Sequence, residues 1–232
     1  MTRNLQKHNT QNGYTMIELL LATVVGSIVL AGAFGAYNII GKQFNKSAAI
    51  SDVRDFAVPT LRFITRDLRM AGFKAVDTDI ESDYGRIDNP ITITDSGTVC
   101  CDSVSIIYDK SVTERLRVTY YIDERTNGGI TRNAIYMDVD QYQSSGTWTA
   151  TTSAAIVADY VEDFQLEGDK LNDEGEATLV HLNITFRSKN KTNNSRIFDK
   201  KDYLTGNVDL SITDNYLREE FESTIYLRNL VD

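Results

Sequence analysis

Basic residues, cysteine, proline, histidine and tryptophan are all scarce in this 232-residue chain. Lys and Arg number 24 against 33 Asp and Glu, giving a formal net charge of −9. Nucleic-acid binding depends on clustered cations that neutralise phosphates, so no nucleic-acid partner is expected. No long run of a single sign occurs, and the charge reads as a solvated surface. The two cysteines, Cys100 and Cys101, are adjacent. Disulfides that close loops join Cα atoms about 4.4–6.8 Å apart, and neighbouring residues reach each other only through a strained ring. A loop-closing bridge is therefore excluded, while a vicinal disulfide, a free thiol pair and an intermolecular bridge stay open. The only histidines are His8 and His181, so a Cys/His zinc site is not expected. His181 lies in a strand-like run with no nucleophile near it in sequence, which suits a structural or surface role. No catalytic constellation stands out, and no enzymatic activity is expected.

What the chain has is one long apolar run. Leu19 to Ile40 carries no charged residue. At 1.5 Å per residue it would span about 33 Å as a helix, enough to cross a bilayer. Glu18 sits just inside its start. A carboxylate within a membrane helix costs about 2.5–3.5 kcal/mol on insertion scales, so it needs a partner or a function. Ahead of it lies a short leader with Arg3, Lys7 and His8, which ends at Gly13. Secretory signals put the cleavable small residues after the apolar core. Here the junction comes before it, so cleavage would leave the helix on the mature chain. Gly26, Gly32 and Gly35, with Ala22 and Ala36, give small-residue spacings that let helices approach closely in lipid.

The order Gly13, Tyr14, Thr15, Met16, Ile17, Glu18, Leu19 resembles the class III signal of type IV prepilins and type II secretion pseudopilins. The resemblance implies that a prepilin peptidase cuts after Gly13 and that the amine of Tyr14 is N-methylated. It also implies that Glu18 aids recognition and pairs with a neighbouring subunit's N-terminal amine during assembly. No cofactor is implied.

Beyond Gly41 the helical period continues. Ile50, Val53, Ala57, Leu61, Ile64 and Leu68 form a stripe, broadened by Phe56, Phe63 and Met70. Arg54, Arg62, Arg66 and Arg69 lie largely off it. Pro59 should kink the helix and Gly72 suits a C-terminal cap. Residues 77–90 read as an acidic loop. Strands are expected at Val104–Tyr108, Leu116–Ile122, Ala134–Val139, Ala155–Val157, Phe164–Glu167, His181–Arg187, Val208–Ile212 and Thr224–Leu227. Asn127-Gly128-Gly129 and Asp173-Glu174-Gly175 read as hairpin turns, and 188–195 as an exposed loop.

The expected fold is α+β and pilin-like, with one long N-terminal helix packed by its distal half on an antiparallel sheet. The expected divisions are a leader (1–13), an apolar membrane or filament-core helix (14–41), its amphipathic continuation (42–73) and a sheet domain (74–232). The segment Phe63 to Phe73 resembles a helix end of the PilW family of minor pilins, a branch related to the type II secretion pseudopilin J. Val118–Ile122 with Gly129–Arg132, Val161–Leu166 and Phe221–Asn229 resemble the same branch.

Two acidic stretches could offer oxygen ligands to calcium. One contains Asp77 and Asp79, the other Asp169 and Asp173. The first lacks the EF-hand's glycine and glutamate, having Ser82 and Asp88 at the sixth and twelfth positions. A solvated acidic loop is the plainer reading of both.

The PilW resemblance implies a subunit that co-assembles with other minor and major pilins through an inner-membrane platform. It would reside first in lipid, with the N-terminus cytoplasmic and the sheet domain periplasmic, and then in a surface filament. The competing readings are a J-like pseudopilin of a secretion tip and, in another class, a membrane-anchored adhesin.

Overall fold

The structure is a computed structural model that describes residues 14–77, 80–81, 84–97, 100–127, 129–171, 175, 177–192, 196–201 and 209–230. Among the described residues one helix, α1 (Met16–Met70), is followed by strands only, apart from a 3₁₀ turn at Arg228–Leu230. The strands are β1 (Val76–Asp77), β2 (Ile80–Glu81), β3 (Ile91–Thr94), β4 (Ser103–Ser111), β5 (Glu114–Asn127) and β6 (Ile130–Tyr142). They continue as β7 (Trp148–Asp159), β8 (Val161–Leu171), β9 (Ala177–Arg187), β10 (Arg196–Lys201), β11 (Asp209–Asp214) and β12 (Arg218–Tyr226). All pairings are antiparallel. The main sheet runs β3-β4-β5-β6-β7, a second runs β12-β9-β8, and β1-β2 and β10-β11 form separate two-stranded ribbons.

The chain divides into two compact units, residues 1–45 and 46–232. In the first, every residue from Tyr14 to Ile40 is exposed, including Leu19, Val24, Ile28 and Phe34. By length and composition this helix can cross a membrane. An apolar surface of that extent is not left to water in a soluble monomer.

In the second unit, one stripe of α1 is buried, Ala49, Val53, Ala57, Thr60, Ile64 and Leu68, and Ala71 just past the helix end continues it. Its three- and four-residue steps are those of one helix face. The stripe joins a core with Val104, Ile106, Val118, Tyr120, Phe164, Leu182, Ile184 and Phe186. The expected broadening by Phe63 fails. Phe63 is 49% exposed, because its position turns it away from the sheet toward Arg66, whose guanidinium stacks on its ring. The helix continues through Pro59, and the Thr60 hydroxyl donates to the Phe56 carbonyl beside it.

Both expected hairpins are present. Asn127 pairs with Ile130 across the β5–β6 turn, and Leu171 with Ala177 across the β8–β9 turn. Two readings need correction. Within 77–90, taken as loop, Asp77 belongs to β1 and pairs with Ile80 of β2. β7 begins at Trp148, seven residues before the expected Ala155, since residues 149–154 are small and exposed and carry little hydrophobic signal.

The end of α1 is tied to the sheets by specific bonds. Asp67 is buried, accepting a 2.6 Å hydrogen bond from the Tyr120 hydroxyl and one of 2.8 Å from Arg66. Gly72 has φ +73°, a left-handed conformation suited to glycine, and a Cβ there would lie 2.5 Å from Leu230. Its N–H donates to the Ile107 carbonyl. The Asn229 carboxamide donates to the carbonyls of Arg69 and Ala71, groups that the helix end leaves without intrahelical partners.

Burial first, and then the charge of Asp67 and the bond to it, hold the Tyr120 hydroxyl protonated well above its ordinary pKa of 10.0. Burial and Asp67 also push Tyr108 up to about 12. The folded state thus keeps protons that the unfolded chain loses at alkaline pH. Stability from these groups is complete below pH 10 and declines as pH rises through the gap. The midpoint of thermal unfolding, followed from about pH 8 to pH 11, should fall above pH 10, and less steeply in Tyr120→Phe.

Candidate assembly site at the helix start

Thr15 precedes the first helical residue, and Glu18 is in the first turn. The Glu18 carboxylate accepts hydrogen bonds from the Thr15 N–H at 2.9 Å and the Thr15 hydroxyl at 3.1 Å. In return the Glu18 N–H donates to the Thr15 hydroxyl oxygen at 3.3 Å. This is a capping box: threonine at the N-cap and glutamate three residues on satisfy each other's orphan groups. The carboxylate also sits at the positive end of the helix dipole. The expectation that Glu18 requires a partner is therefore met first within its own chain. Thr15 went unrecognised as that partner, although the Thr-x-x-Glu spacing before an apolar run is its sequence signature.

Gly13 lies outside the described residues; Tyr14 is exposed just ahead of the cap. A Cβ added at Gly26, Gly32 or Gly35 would meet nothing within 4 Å. Inside one subunit these glycines accommodate no neighbour, so any packing role they have belongs to contacts with other chains.

The acidic stretches come together only in part. Asp79 and Asp173 lie outside the described residues, as does the side chain of Asp77. Asp169 is exposed on β8, with its carboxylate 4.0 Å from His181 Nε2. Among the described residues the one close group of metal-ligand types is Cys100, Cys101 and Asp163. In the structure the two cysteines are joined to each other.

Arg132 of the hairpin motif and three further sheet arginines, Arg125, Arg187 and Arg218, settle into ion pairs. Arg132 and Arg125 both reach Asp159. Arg187 and Arg218 both reach Glu162, and Arg218 pairs with Asp214. Arg187 also stacks on Tyr160 and Tyr216, and Arg132 also lies over the Tyr160 ring. These pairs link β5, β6, β7, β8, β9, β11 and β12. The Arg218 bond holds the Asp214 carboxyl below the usual range, whereas burial raises that of Glu162.

Residues 8–34 match the prokaryotic N-terminal methylation motif. A search of curated proteins finds no significant match. Among solved structures, a type IV-like pilin, TTHA1219 from Thermus thermophilus, superposes with a TM-score of 0.51 at 13% identity. The alignment covers 77% of this chain and 98% of that one. At this identity the likeness speaks to the fold. The chain thus combines the N-terminal methylation motif at residues 8–34 and an exposed apolar helix with the fold of a type IV-like pilin.

Proposed function

We propose that the protein is a minor type IV pilin that co-assembles with other pilins to prime or cap a filament. The carrying observation is the exposed run from Tyr14 to Ile40, led by Glu18, on a chain with pilin-like architecture. That surface needs lipid before assembly and other helices after it. In this reading a prepilin peptidase removes residues 1–13 and Tyr14 becomes the methylated N-terminus. The sheet domain lies outside the inner membrane until the subunit joins a pilus. The minor rank rests on the resemblance of the helix end and later motifs to the PilW branch.

Mass spectrometry of the purified chain tests the shared basis. The expected N-terminal peptide begins at Tyr14 and carries a methyl group. A mature chain that still begins at Met1 overturns the reading. The J-like pseudopilin reading predicts the same processing but a different machine. Deleting the gene should abolish surface pili if the subunit is a pilin, and block protein secretion with pili intact if it is a pseudopilin.

A further inference from the structure

Most arginines in the sheet unit have a carboxylate partner: Arg115 meets Asp109, Arg117 meets Asp140, Arg125 and Arg132 meet Asp159, and Arg218 meets Asp214. The outer face of α1 departs from this. Arg62, Arg66 and Arg69 are exposed at positions four and three apart, one row on a helix. Arg66 is held by Asp67 and lies 5.4 Å from the Phe63 ring centroid. Arg62 and Arg69 have no ion pair among the described residues. Shallow depressions run along the row, one lined by Pro59, Arg62, Phe63 and Arg66 and the next extending to Thr65, Arg69 and Met70.

Two guanidinium groups are thus left open beside a half-exposed phenylalanine, on a chain with 33 acidic and 24 basic residues. Arginine and aromatic side chains are enriched where proteins dock. Charge complementarity selects a partner that presents carboxylates.

We propose that the Arg62–Phe63–Arg66–Arg69 face of α1 docks a carboxylate-bearing surface of a neighbouring filament subunit. The inference rests on the assembly reading above. Phe63 supplies the apolar contact, with Arg66 already stacked in place. Arg62 and Arg69 supply the open cationic charges that the partner's carboxylates meet.

The test uses the full-length chain in its own cells and compares Arg62→Glu/Arg69→Glu with Arg62→Lys/Arg69→Lys. Like charges brought together across an interface repel, so the Glu pair should lower the subunit's level in sheared filaments at least about tenfold. The Lys pair should stay close to wild type. Both variants should match wild type in membrane level and in thermal unfolding in detergent. Undiminished incorporation of the Glu pair would overturn this inference and leave the assembly reading standing. So would a loss shared equally by the Lys pair, because charge would then not be what the partner reads. Absence of the wild-type subunit from filaments would overturn both. A photoreactive residue at position 62 should cross-link to an Asp- or Glu-bearing peptide of a chain with the same methylation motif. A cross-link confined to phospholipid would overturn the docking proposal.

Discussion

Glu18→Ala should leave the chain made, inserted and retained in the membrane, yet almost absent from filaments. In the proposed core, the carboxylate would pair with the N-terminal amine of a neighbouring subunit. Removing one member of a buried ion pair costs about 3–5 kcal/mol, because the other charge is left uncompensated. Incorporation should therefore fall at least about a hundredfold. Immunoblots of sheared filaments and of membranes give both quantities from one culture. Thr15→Ala is the informative companion, since it removes the hydroxyl that caps the helix through Glu18. It costs a cap, about 0.5–2 kcal/mol, but leaves the carboxylate in place. If Glu18 serves assembly, Thr15→Ala still incorporates. Equal loss in both variants would make capping of the helix the whole role of Glu18. Normal incorporation of Glu18→Ala would remove the carboxylate from the assembly contact.

Asp67→Ala should be strongly destabilising to the sheet unit. Its carboxylate is buried between the Tyr120 hydroxyl and Arg66, so truncation leaves that hydroxyl with no acceptor and opens a void beneath the helix. Hydrogen bonds to charged groups are worth about 1.5–3 kcal/mol, and an orphaned buried donor adds to the loss. For a domain of this size the unfolding midpoint should drop by roughly 2–4 °C per kcal/mol. Calorimetry on the full-length chain in detergent would measure it. An unchanged midpoint would mean that the buried carboxylate contributes nothing net, as some buried ionic groups do not.

The long helix and the two hairpin turns were readable because each has a local cause. α1 shows a period sustained over many turns, and the turns have glycine where the backbone must reverse. Gly129 and Gly175 both take positive φ. The helix stripe was read too broadly at Phe63, since hydrophobicity alone does not tell a core aromatic from one stacked under an arginine. β3 and β10 were missed: each is short, and polar residues dilute the apolar signal in the sequence. The Thr15–Glu18 box was legible but overshadowed by the cost of charge in a membrane. The Asp67–Tyr120 bond joins residues 53 positions apart, and no local pattern announces such a pair. The helix-end motif was recognised by likeness, and the structure gives it physical causes in Asp67 and Gly72.

The closure of the helix end by Asn229 and Leu230 also bears on the order of events in synthesis. Residues 69–72 leave the ribosome long before the two side chains that complete them. The core beneath α1 therefore cannot finish forming until Asn229 and Leu230 have emerged, at a sequence distance of about 160 positions, where loop closure is slow. A chain halted before residue 229 would carry every described strand and still lack this seal. The segment after β12 thus acts as a completeness check on the end of α1.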